Sequence, residues 1–251
     1  MEHIVEIKGV RIGEGTPKIC VSLTGSTQAE LNAEAKSLVD VDLDIAEWRV
    51  DFFEEVEQIE SVLTQLAELR EVLGEIPLIF TFRSAREGGQ RELPQDLYIR
   101  LNSAVAASGH ADLIDIELMV GDEAVRDLAT EIHRLGAAII ISNHDFYGTP
   151  AREELVSRLK RAHELGADLP KIAVMPRHPG DVLALLAATY EVSSQLQAPI
   201  ITMSMGKMGA VSRIAGEAFG SAVTFGAAKK ASAPGQIAVS ELRSMLNTLH
   251  D

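Results

Sequence analysis

Lys171 is the residue whose type and setting most clearly suggest covalent chemistry. It lies in a short apolar stretch between Pro170 and Pro176, which has the length of a buried β-strand and is too short for a helix. Because strand side chains alternate between two faces, Lys171 shares a face with Ala173 and Met175. If both faces are covered, the amine must find a partner or lose its charge, and a neutral amine attacks carbonyl carbons. The stretch alone favours a simpler interpretation, in which the ammonium reaches the edge of the protein.

Four other predicted strands have one wholly apolar face and one face that carries polar side chains. In chain order, the second faces are Ile45, Glu47, Arg49 and Asp51; Ile79, Thr81 and Arg83; Leu113, Asp115 and Glu117; and Ile140, Ser142 and His144. The apolar faces suit packing under helices, so the polar faces should line a barrel, with their charges toward the carboxyl ends of the strands. Since a purely structural barrel has no reason to bury so many charges, the pattern predicts a site there.

Two residues are candidates for moving or directing protons beside Lys171. His144 follows the predicted strand 137–142, which neighbours the strand of Lys171, and imidazole is the usual proton carrier near neutral pH. A lone histidine at a strand end is nevertheless more often structural. Glu87 lies in a loop with Gly88 and Gly89, where a carboxylate either orients the imidazole across the mouth of the barrel or is simply solvated.

A metal site is an alternative use of the acidic side chains on these strands. Its ligands would be drawn from Glu47, Asp115, Glu117 and His144. The spacing of these residues is loose, and the arginines and lysine in the same cavity would repel a divalent ion. We therefore predict no metal.

Arg213 and the loop after the last predicted strand are candidates for binding a substrate anion. Arg213 is placed at the start of the predicted helix 211–219, where a guanidinium can bind a carboxylate or phosphate with help from the helix N-terminus. The alternative is a surface arginine. The small residues of loop 229–236 suit a mobile lid. A phosphate-binding loop is the rival interpretation, but the loop lacks the glycine-rich fingerprint. Met203, Met205 and Met208 are interpreted as core residues.

The elements that must position these residues alternate strictly. Strands are predicted at 18–23, 44–51, 77–82, 112–118, 137–142, 171–175, 200–205 and 222–225. Helices are predicted at 27–41, 56–73, 93–108, 122–135, 151–165, 180–196, 211–219 and 236–249. This order and length indicate an α/β fold, a (β/α)₈ TIM barrel forming a single domain over residues 1–251, with a doubly wound sheet as the alternative. An N-terminal β-hairpin, 4–7 and 10–12, is predicted to close the bottom of the barrel.

Composition limits the partners and the location. The chain has 251 residues and a net charge of −14, which argues against nucleic acid or an anionic membrane as partner. Its one cysteine, Cys20, lies in an apolar strand and is expected to be a small buried residue. No apolar run approaches the ~20 residues of a membrane-spanning helix, and the N-terminus lacks a signal-peptide pattern. A cytoplasmic location is therefore expected.

Seven motifs in consistent order resemble the type I 3-dehydroquinate dehydratase family over essentially the whole chain. They are Glu47-Trp48-Arg49, Thr81-Phe82-Arg83-Ser84 with Glu87-Gly88-Gly89, Ser142-Asn143-His144-Asp145-Phe146, Lys171-Ile172-Ala173, Thr202-Met203-Ser204-Met205-Gly206, Ser212-Arg213 and Ser232-Ala233-Pro234-Gly235-Gln236. The resemblance implies a lyase of the shikimate pathway, in aromatic amino acid biosynthesis, that dehydrates 3-dehydroquinate to 3-dehydroshikimate. It also implies a homodimer with no metal and no organic cofactor.

The resemblance also implies a role for each site residue. Lys171 would form an imine, or Schiff base, with the ring ketone; His144 would be general acid and base; and Glu87 would orient His144 and favour its charged form. The implied substrate-binding residues are Arg213 for the carboxylate, Ser232 and Gln236 for the lid over it, and Ser22, Glu47, Arg49 and Arg83 for the ring hydroxyls. Lys171 stands near the start of its strand, so its side chain must reach up the barrel axis, where burial should favour the neutral amine.

Two other hypotheses remain open at this stage. A class I aldolase on the same barrel would share the lysine but cleave a carbon–carbon bond, and it usually requires a phosphate site, which the sequence lacks. A non-enzymatic barrel that binds a ligand could lose Lys171 or His144 freely, so the intact pair argues against it.

Overall fold

The computed structural model describes residues 4–228 and 232–250. An antiparallel hairpin, β1 (Val5–Ile7) and β2 (Val10–Ile12), comes first. The barrel strands follow as β3 (Lys18–Leu23), β4 (Ile45–Arg49), β5 (Leu78–Thr81), β6 (Leu113–Glu117), β7 (Ala138–Asp145), β8 (Leu169–Val174), β9 (Ile201–Ser204) and β10 (Val223–Ala227). From β3 to β9 each strand pairs in parallel with the next. The pattern of strands predicted from the sequence is confirmed.

The curled sheet closes on itself between its last two barrel strands. Strand β10 pairs in parallel with β3, and on its other side a parallel bridge joins Ser221, just before β10, to Ile200, just before β9. The backbone N–H of Ala222 donates to the carbonyl of Ile200 at 2.8 Å. The described residues therefore form an eight-stranded barrel, which confirms the predicted (β/α)₈ architecture. The short strand β11 (Ile237–Ala238) pairs in parallel with the last residues of β10, on the edge opposite β3.

Helices follow the barrel strands at the predicted places. They are α1 (Gln28–Leu38), α2 (Ile59–Leu73), α3 (Gln95–Ser108), α4 (Asp122–Arg134), α5 (Arg152–Glu164), α6 (Pro179–Ser193), α7 (Ala210–Ile214), α8 (Gly216–Phe219) and α9 (Val239–His250). Within the described ranges, no helix is long and apolar enough to span a membrane. The single helix predicted for 211–219 is wrong, because the chain leaves the helical conformation at Ala215 and forms two short helices.

Alternation along the strands divides the apolar core into an outer and an inner layer. The outward residues, such as Trp48, Phe80 and Ile141, pack under the helices. The inner layer, at the amino-terminal end of the barrel, consists of Ile12, Cys20, Ile45, Ile79, Leu113, Ile140, Leu169, Ile201 and Val223. The hairpin packs against this layer through Val5, Ile7 and Val10 and closes the bottom of the barrel, as predicted. The polar inward residues are thus left at the opposite, carboxyl end.

Candidate active site

One cavity at the carboxyl ends of the strands contains every site residue predicted from the sequence. Its volume is about 160 Å³, and its predicted members are Ser22, Glu47, Arg49, Arg83, Glu87, His144, Lys171, Arg213, Ser232 and Gln236. Apolar side chains complete the wall: Phe146, Ala173, Met203, Met205, Ala233, Pro234 and Phe225. The cavity is of small-metabolite size and combines charged groups with an apolar surround, as ligand sites do.

Lys171 lies on the barrel axis and does not reach the edge of the protein. It is the third residue of β8, and only 4% of its surface is exposed. Its Nζ donates to Asp115 Oδ2 at 3.0 Å, lies 3.7 Å from Glu47 Oε1 and lies 4.7 Å from the centre of the Phe225 ring. Two carboxylates and a ring face this close stabilise a positive charge on the nitrogen. The predicted depth of Lys171 in the barrel is confirmed. At that depth burial disfavours the charge that the two carboxylates and the ring stabilise.

Arg83 is the centre of a buried network on the β5–β7 side of the barrel. Its Nη2 donates to Asp115 Oδ1 at 2.7 Å, and its Nη1 donates to Glu117 Oε1 at 3.0 Å and to Ser142 Oγ at 2.9 Å. Glu87 lies 3.5 Å from Nη1. Burial alone would lower the pKa of Arg83, but the three carboxylates raise it well above its ordinary value. Arg83 is therefore held charged, with most of its donors already used.

The loop that carries Glu87 is built on backbone contacts that only glycine permits. After β5, a 3₁₀ turn at Ala85–Glu87 ends at Gly88, which has a φ of 86°. A Cβ on Gly89 would lie 1.8 Å from the carbonyl oxygen of Arg83, so no larger residue fits. The buried carboxylate of Asp51 accepts from the backbone N–H of Gln90 at 3.1 Å and fixes the return of the loop. Together these contacts turn Glu87 inward.

Glu87 binds His144 through both its backbone and its ring. Oε2 of Glu87 accepts from the backbone N–H of His144 at 2.8 Å and lies 3.0 Å from Nδ1, while Oε1 accepts from Asn143 Nδ2 at 3.0 Å. An ionised Glu87 assigns the ring proton to Nδ1, which leaves Nε2 as the atom able to take a proton. His144 lies within β7 and not after it, two residues beyond Ser142, the partner of Lys171.

The charges of Glu87 and His144 are shifted by their burial. Burial raises the pKa of Glu87 from 4.5 to about 7, because Glu117 adds to the burial effect and Arg83 only partly offsets it. Burial, with Arg83 and Lys171 nearby, lowers the pKa of His144 well below 6.5. At rest the imidazole is therefore neutral near neutral pH and is ready to accept a proton. That Glu87 favours the charged form of the imidazole, as the resemblance implies, stays a prediction.

Ser22, Glu47 and Arg49 form the wall on β3 and β4. Ser22 Oγ donates to Glu47 Oε2 at 2.5 Å, and Thr81 Oγ1 donates to Glu47 Oε1 at 2.9 Å. Arg49 donates from Nε and Nη2 to the two oxygens of Asp51, at 2.8 and 2.9 Å. Within the described part of the chain, no group of three or more His, Cys, Asp or Glu is arranged to hold a metal ion.

Arg213 lies on the β9–β10 side, and its partners among the described residues are all neutral. It donates to the carbonyl of Pro234 at 3.1 Å, to that of Phe225 at 3.4 Å and to Met203 Sδ at 3.9 Å. Its buried Nε has no partner among the described residues. Burial lowers the pKa of Arg213 to about 10. The prediction that it lies at a helix start is wrong, because it is the fourth of the five residues of α7.

Residues 232–236 lie over the Arg213 end of the cavity. The backbone N–H of Ser232 donates to Gln236 Oε1 at 2.8 Å, and Gln236 Nε2 donates to Ser232 Oγ at 2.9 Å. The N–H of Gly206 donates to the carbonyl of Pro234 at 3.1 Å, and a Cβ on Gly235 would lie 2.4 Å from Gly206 O. The first three residues of the predicted lid, 229–231, lie outside the described residues.

Several wall and support residues were missed by the reasoning from sequence. Met203 and Met205 belong to the barrel core as predicted, but they also line the cavity, and Met208 is exposed. Phe225, beside Lys171, was not singled out, although its alternation with Val223 places it inward. The predicted burial of Cys20 is confirmed, and burial raises the pKa of its thiol well above 9.0.

Known proteins resemble this chain over its whole length. A family model described as type I 3-dehydroquinase matches residues 19–251. A 3-dehydroquinate dehydratase of Bacillus licheniformis is 55% identical over 251 residues, covering 100% of this chain and 99% of the relative. The structure of a type I 3-dehydroquinate dehydratase from Clostridium difficile, with covalently modified comenic acid, is 54% identical, with a TM-score of 0.97 and coverage of 100% and 99%. A 3-dehydroquinate dehydratase from Geobacillus kaustophilus is 41% identical, with a TM-score of 0.96 and coverage of 98% and 96%.

Fold and cavity together define a (β/α)₈ barrel with a small, cation-rich site around a buried lysine. The family match covers most of the chain, and the relatives align with it from end to end. The chain belongs to the type I 3-dehydroquinase family, whose named members are dehydratases. The resemblance stated from the seven motifs is confirmed.

Proposed function

We propose that this chain dehydrates 3-dehydroquinate to 3-dehydroshikimate in the shikimate pathway, through an imine on Lys171. Named relatives at 54–55% identity support the reaction. The observation that carries the mechanism is that Lys171, His144 and Arg213 line one cavity, so a nucleophile, a proton carrier and a cation can contact one small molecule together. The relative solved with covalently modified comenic acid is also consistent with a reactive site.

The first step joins the lysine to the substrate ketone. His144 takes a proton from the ammonium, and the lone pair of Nζ then adds to the carbonyl carbon while a second proton moves from the nitrogen to the oxygen. His144 returns its proton to that oxygen, which leaves as water and gives a protonated imine. The positively charged nitrogen then draws electrons from the neighbouring carbon and so makes its hydrogen acidic. In this mechanism the imine is the electron sink, and no metal or organic cofactor takes part.

His144 then carries the proton between two positions on the substrate. Its Nε2 takes the proton from the carbon beside the imine, and the electron pair of that bond forms an enamine. The enamine expels the hydroxyl group, which takes the proton from His144 and leaves as water. Hydrolysis of the new unsaturated imine releases the product and restores the amine of Lys171. The low pKa of His144 suits this cycle, because the imidazole begins neutral.

The remaining predicted residues are proposed to bind the substrate. Arg213 binds the carboxylate, with Ser232 and Gln236 closing over that end. Ser22, Glu47 and Arg49 bind the ring hydroxyls. A substrate that lacks these hydroxyls would leave the three protein groups unpaired and would therefore be rejected. Arg83 was predicted to bind a ring hydroxyl as well, but its Nη atoms already donate to protein groups. We therefore propose that its main role is to hold the neighbouring side chains of the site in place.

Borohydride trapping tests the imine. Incubation with 3-dehydroquinate and borohydride should add a substrate-sized mass to the peptide that carries Lys171, and this adduct should be absent from Lys171→Ala. Production of the conjugated enone, followed by absorbance, measures turnover in parallel. Full turnover by Lys171→Ala would overturn the mechanism, whereas a folded wild type with neither adduct nor turnover would overturn the proposed reaction.

His144→Ala separates proton transfer from imine formation. The adduct should still form, slowly, while turnover falls by at least about 10²-fold, as is typical of a lost acid–base group. Trapping and steady-state rates on the same preparation give both quantities. An active variant that forms no adduct would contradict the role assigned to His144.

Three further expectations are also proposed for this chain. A single domain over residues 1–251 and a cytoplasmic location were expected from the sequence pattern and composition, and a homodimer is implied by the resemblance. Light scattering on the purified chain measures the dimer directly, and a monomer at working concentration would rule it out.

A further inference from the structure

Asp115 contacts Lys171 from outside the cavity. It is the middle residue of β6, its exposed fraction is 0%, and it is not among the residues that line the cavity. Its Oδ2 accepts from Lys171 Nζ at 3.0 Å, and its Oδ1 accepts from Arg83 Nη2 at 2.7 Å and from Ser142 Oγ at 2.6 Å. One carboxylate thus binds the lysine with one oxygen and the network with the other.

Asp115 is the best-placed anion for the nitrogen of Lys171. Of the two carboxylates beside Nζ, Glu47 is farther away, at 3.7 Å, and its oxygens accept the hydroxyls of Ser22 and Thr81. Burial opposes ionisation of Asp115, but Arg83 and Lys171 outweigh it and lower its pKa. Other titratable groups face this pair from the neighbouring strands. Arg83 stays charged, burial together with Arg83 and Lys171 lowers the pKa of His144, and burial raises the pKa of the Cys20 thiol.

The geometry suits the imine as well as the free lysine. An ammonium carries three N–H bonds, whereas the nitrogen of a protonated imine carries one. Since the substrate carbon must arrive from the cavity and Asp115 lies outside it, the N–H that survives can be the one that already points to Oδ2. The same contact can therefore neutralise the nitrogen before and after the carbon–nitrogen bond forms.

We propose that Asp115 is the counter-ion and positioning residue of Lys171: it holds Nζ on the barrel axis and stabilises the positive charge of the protonated imine. Arg83 and Ser142 hold Asp115 in place through its other oxygen. The imine part of this proposal rests on the proposed function, whereas the effect on the free lysine does not.

Asp115→Asn tests the proposal, with Glu117→Gln as its matched control. Both replace a buried carboxylate of β6 that contacts Arg83, but Glu117 does not contact Lys171 and instead accepts from Arg83 Nη1 and the backbone of Ser84. The first measurement needs no substrate: Lys171 is methylated with formaldehyde and cyanoborohydride across a pH series, and its extent is read from peptide mass. The second is turnover and borohydride trapping with 3-dehydroquinate.

The lysine in Asp115→Asn should react at lower pH, because the ammonium has lost its nearest anion. The expected shift in the methylation midpoint is about 1 to 3 pH units. The rate constant kcat should fall about 10²-fold or more, with a smaller change in KM, because the lost interaction is strongest in the charged intermediate. In Glu117→Gln the midpoint should stay at the wild-type value even if stability falls.

An unchanged midpoint in folded Asp115→Asn, or an equal shift in Glu117→Gln, would overturn the proposal. If Asp115→Asn does not fold, Asp115→Ser replaces it, since the smaller side chain leaves room for water. If the methylation midpoint shifts in Asp115→Asn but the wild type forms no imine, the proposed function is rejected and Asp115 remains the counter-ion of the free lysine. If the wild type forms the imine but the midpoint of Asp115→Asn does not shift, the proposed function stands and the counter-ion role is rejected.

Discussion

Two buried arginines on opposite sides of the barrel mouth have opposite surroundings. Arg83 is 3% exposed and Arg213 is 1% exposed, so neither is stabilised by bulk water. Arg83 lies within 3.5 Å of carboxylates from Asp115, Glu117 and Glu87. Arg213 donates to two carbonyl groups and a thioether, and no carboxylate of residues 4–228 or 232–250 forms an ion pair with it.

The difference assigns different tasks to the same side chain. The three carboxylates raise the pKa of Arg83, whereas burial alone lowers that of Arg213 to about 10. A buried charge without a counter-ion is costly to fold, so Arg213 is best explained by an anion that comes from outside the chain. Arg83 is satisfied within the protein, and we infer that it maintains the arrangement of the site.

Arg83→Met should have the largest effect on stability. It removes the cation shared by three buried carboxylates, and breaking one such buried pair typically costs about 3 to 5 kcal/mol. We expect the variant to be unfolded or to lose at least about 3 kcal/mol of unfolding free energy. Urea denaturation followed by circular dichroism measures the change. Wild-type stability in this variant would contradict the comparison.

Arg213→Met is the same substitution on the other side and should affect binding more than stability. In the proposed function Arg213 binds the substrate carboxylate, so its loss should lower kcat/KM by about 10- to 10²-fold, mainly through KM. The unfolding free energy should be unchanged or higher, since the cost of burying an unpaired cation is removed. Steady-state kinetics and urea denaturation check both. A stability loss equal to that of Arg83→Met would abolish the distinction.

The sequence predicted which residues meet in the site but not how their charges pair. Alternation along β4 to β8 was enough to turn Glu47, Arg83, His144 and Lys171 inward, because strand geometry fixes side-chain direction. Pairing depends on the register and on the length of each side chain across the barrel. It was therefore not evident from sequence that Asp115 joins Arg83 to Lys171, or that no carboxylate in the described part of the chain pairs with Arg213.

Element ends show the same limit. His144 was placed after its strand, but pairing with β8 continues to Asp145 and holds His144 inside the ladder. The helix predicted around Arg213 was too long because the chain turns at Ala215 toward Gly216, where a Cβ would lie 3.0 Å from Ser221 O and 3.2 Å from Pro17 Cγ. Both differences arise from tertiary contacts, which local patterns do not contain.

Glu87 contacts both Arg83 and His144. It is the most distant of the three carboxylates around Arg83, and its other contact is with the histidine that we propose carries the proton. Its native pKa of about 7 lies above its ordinary 4.5, so the native state binds more protons than the unfolded state between these values. Its contribution to stability is therefore present below pH 4.5 and is lost as pH rises to about 7. His144 acts in the opposite direction, because a native pKa below 6.5 makes stability rise with pH up to about that value.

Glu87→Gln removes the pH-dependent contribution of Glu87 to stability and leaves that of His144. The stability of the variant relative to wild type should increase as pH rises from 4.5 to about 7, by up to about 3 kcal/mol. The offset at low pH reports the hydrogen bonds that the amide cannot make to Asn143 and His144. Urea denaturation at several pH values measures the slope, and Glu55→Gln, at an exposed carboxylate, reports the effect of the amide alone. The outcome against this prediction is a difference in unfolding free energy, between Glu87→Gln and wild type, that does not change with pH. It would mean that Arg83 compensates all three of its carboxylates equally, and that the Arg83 network does not affect His144 through Glu87.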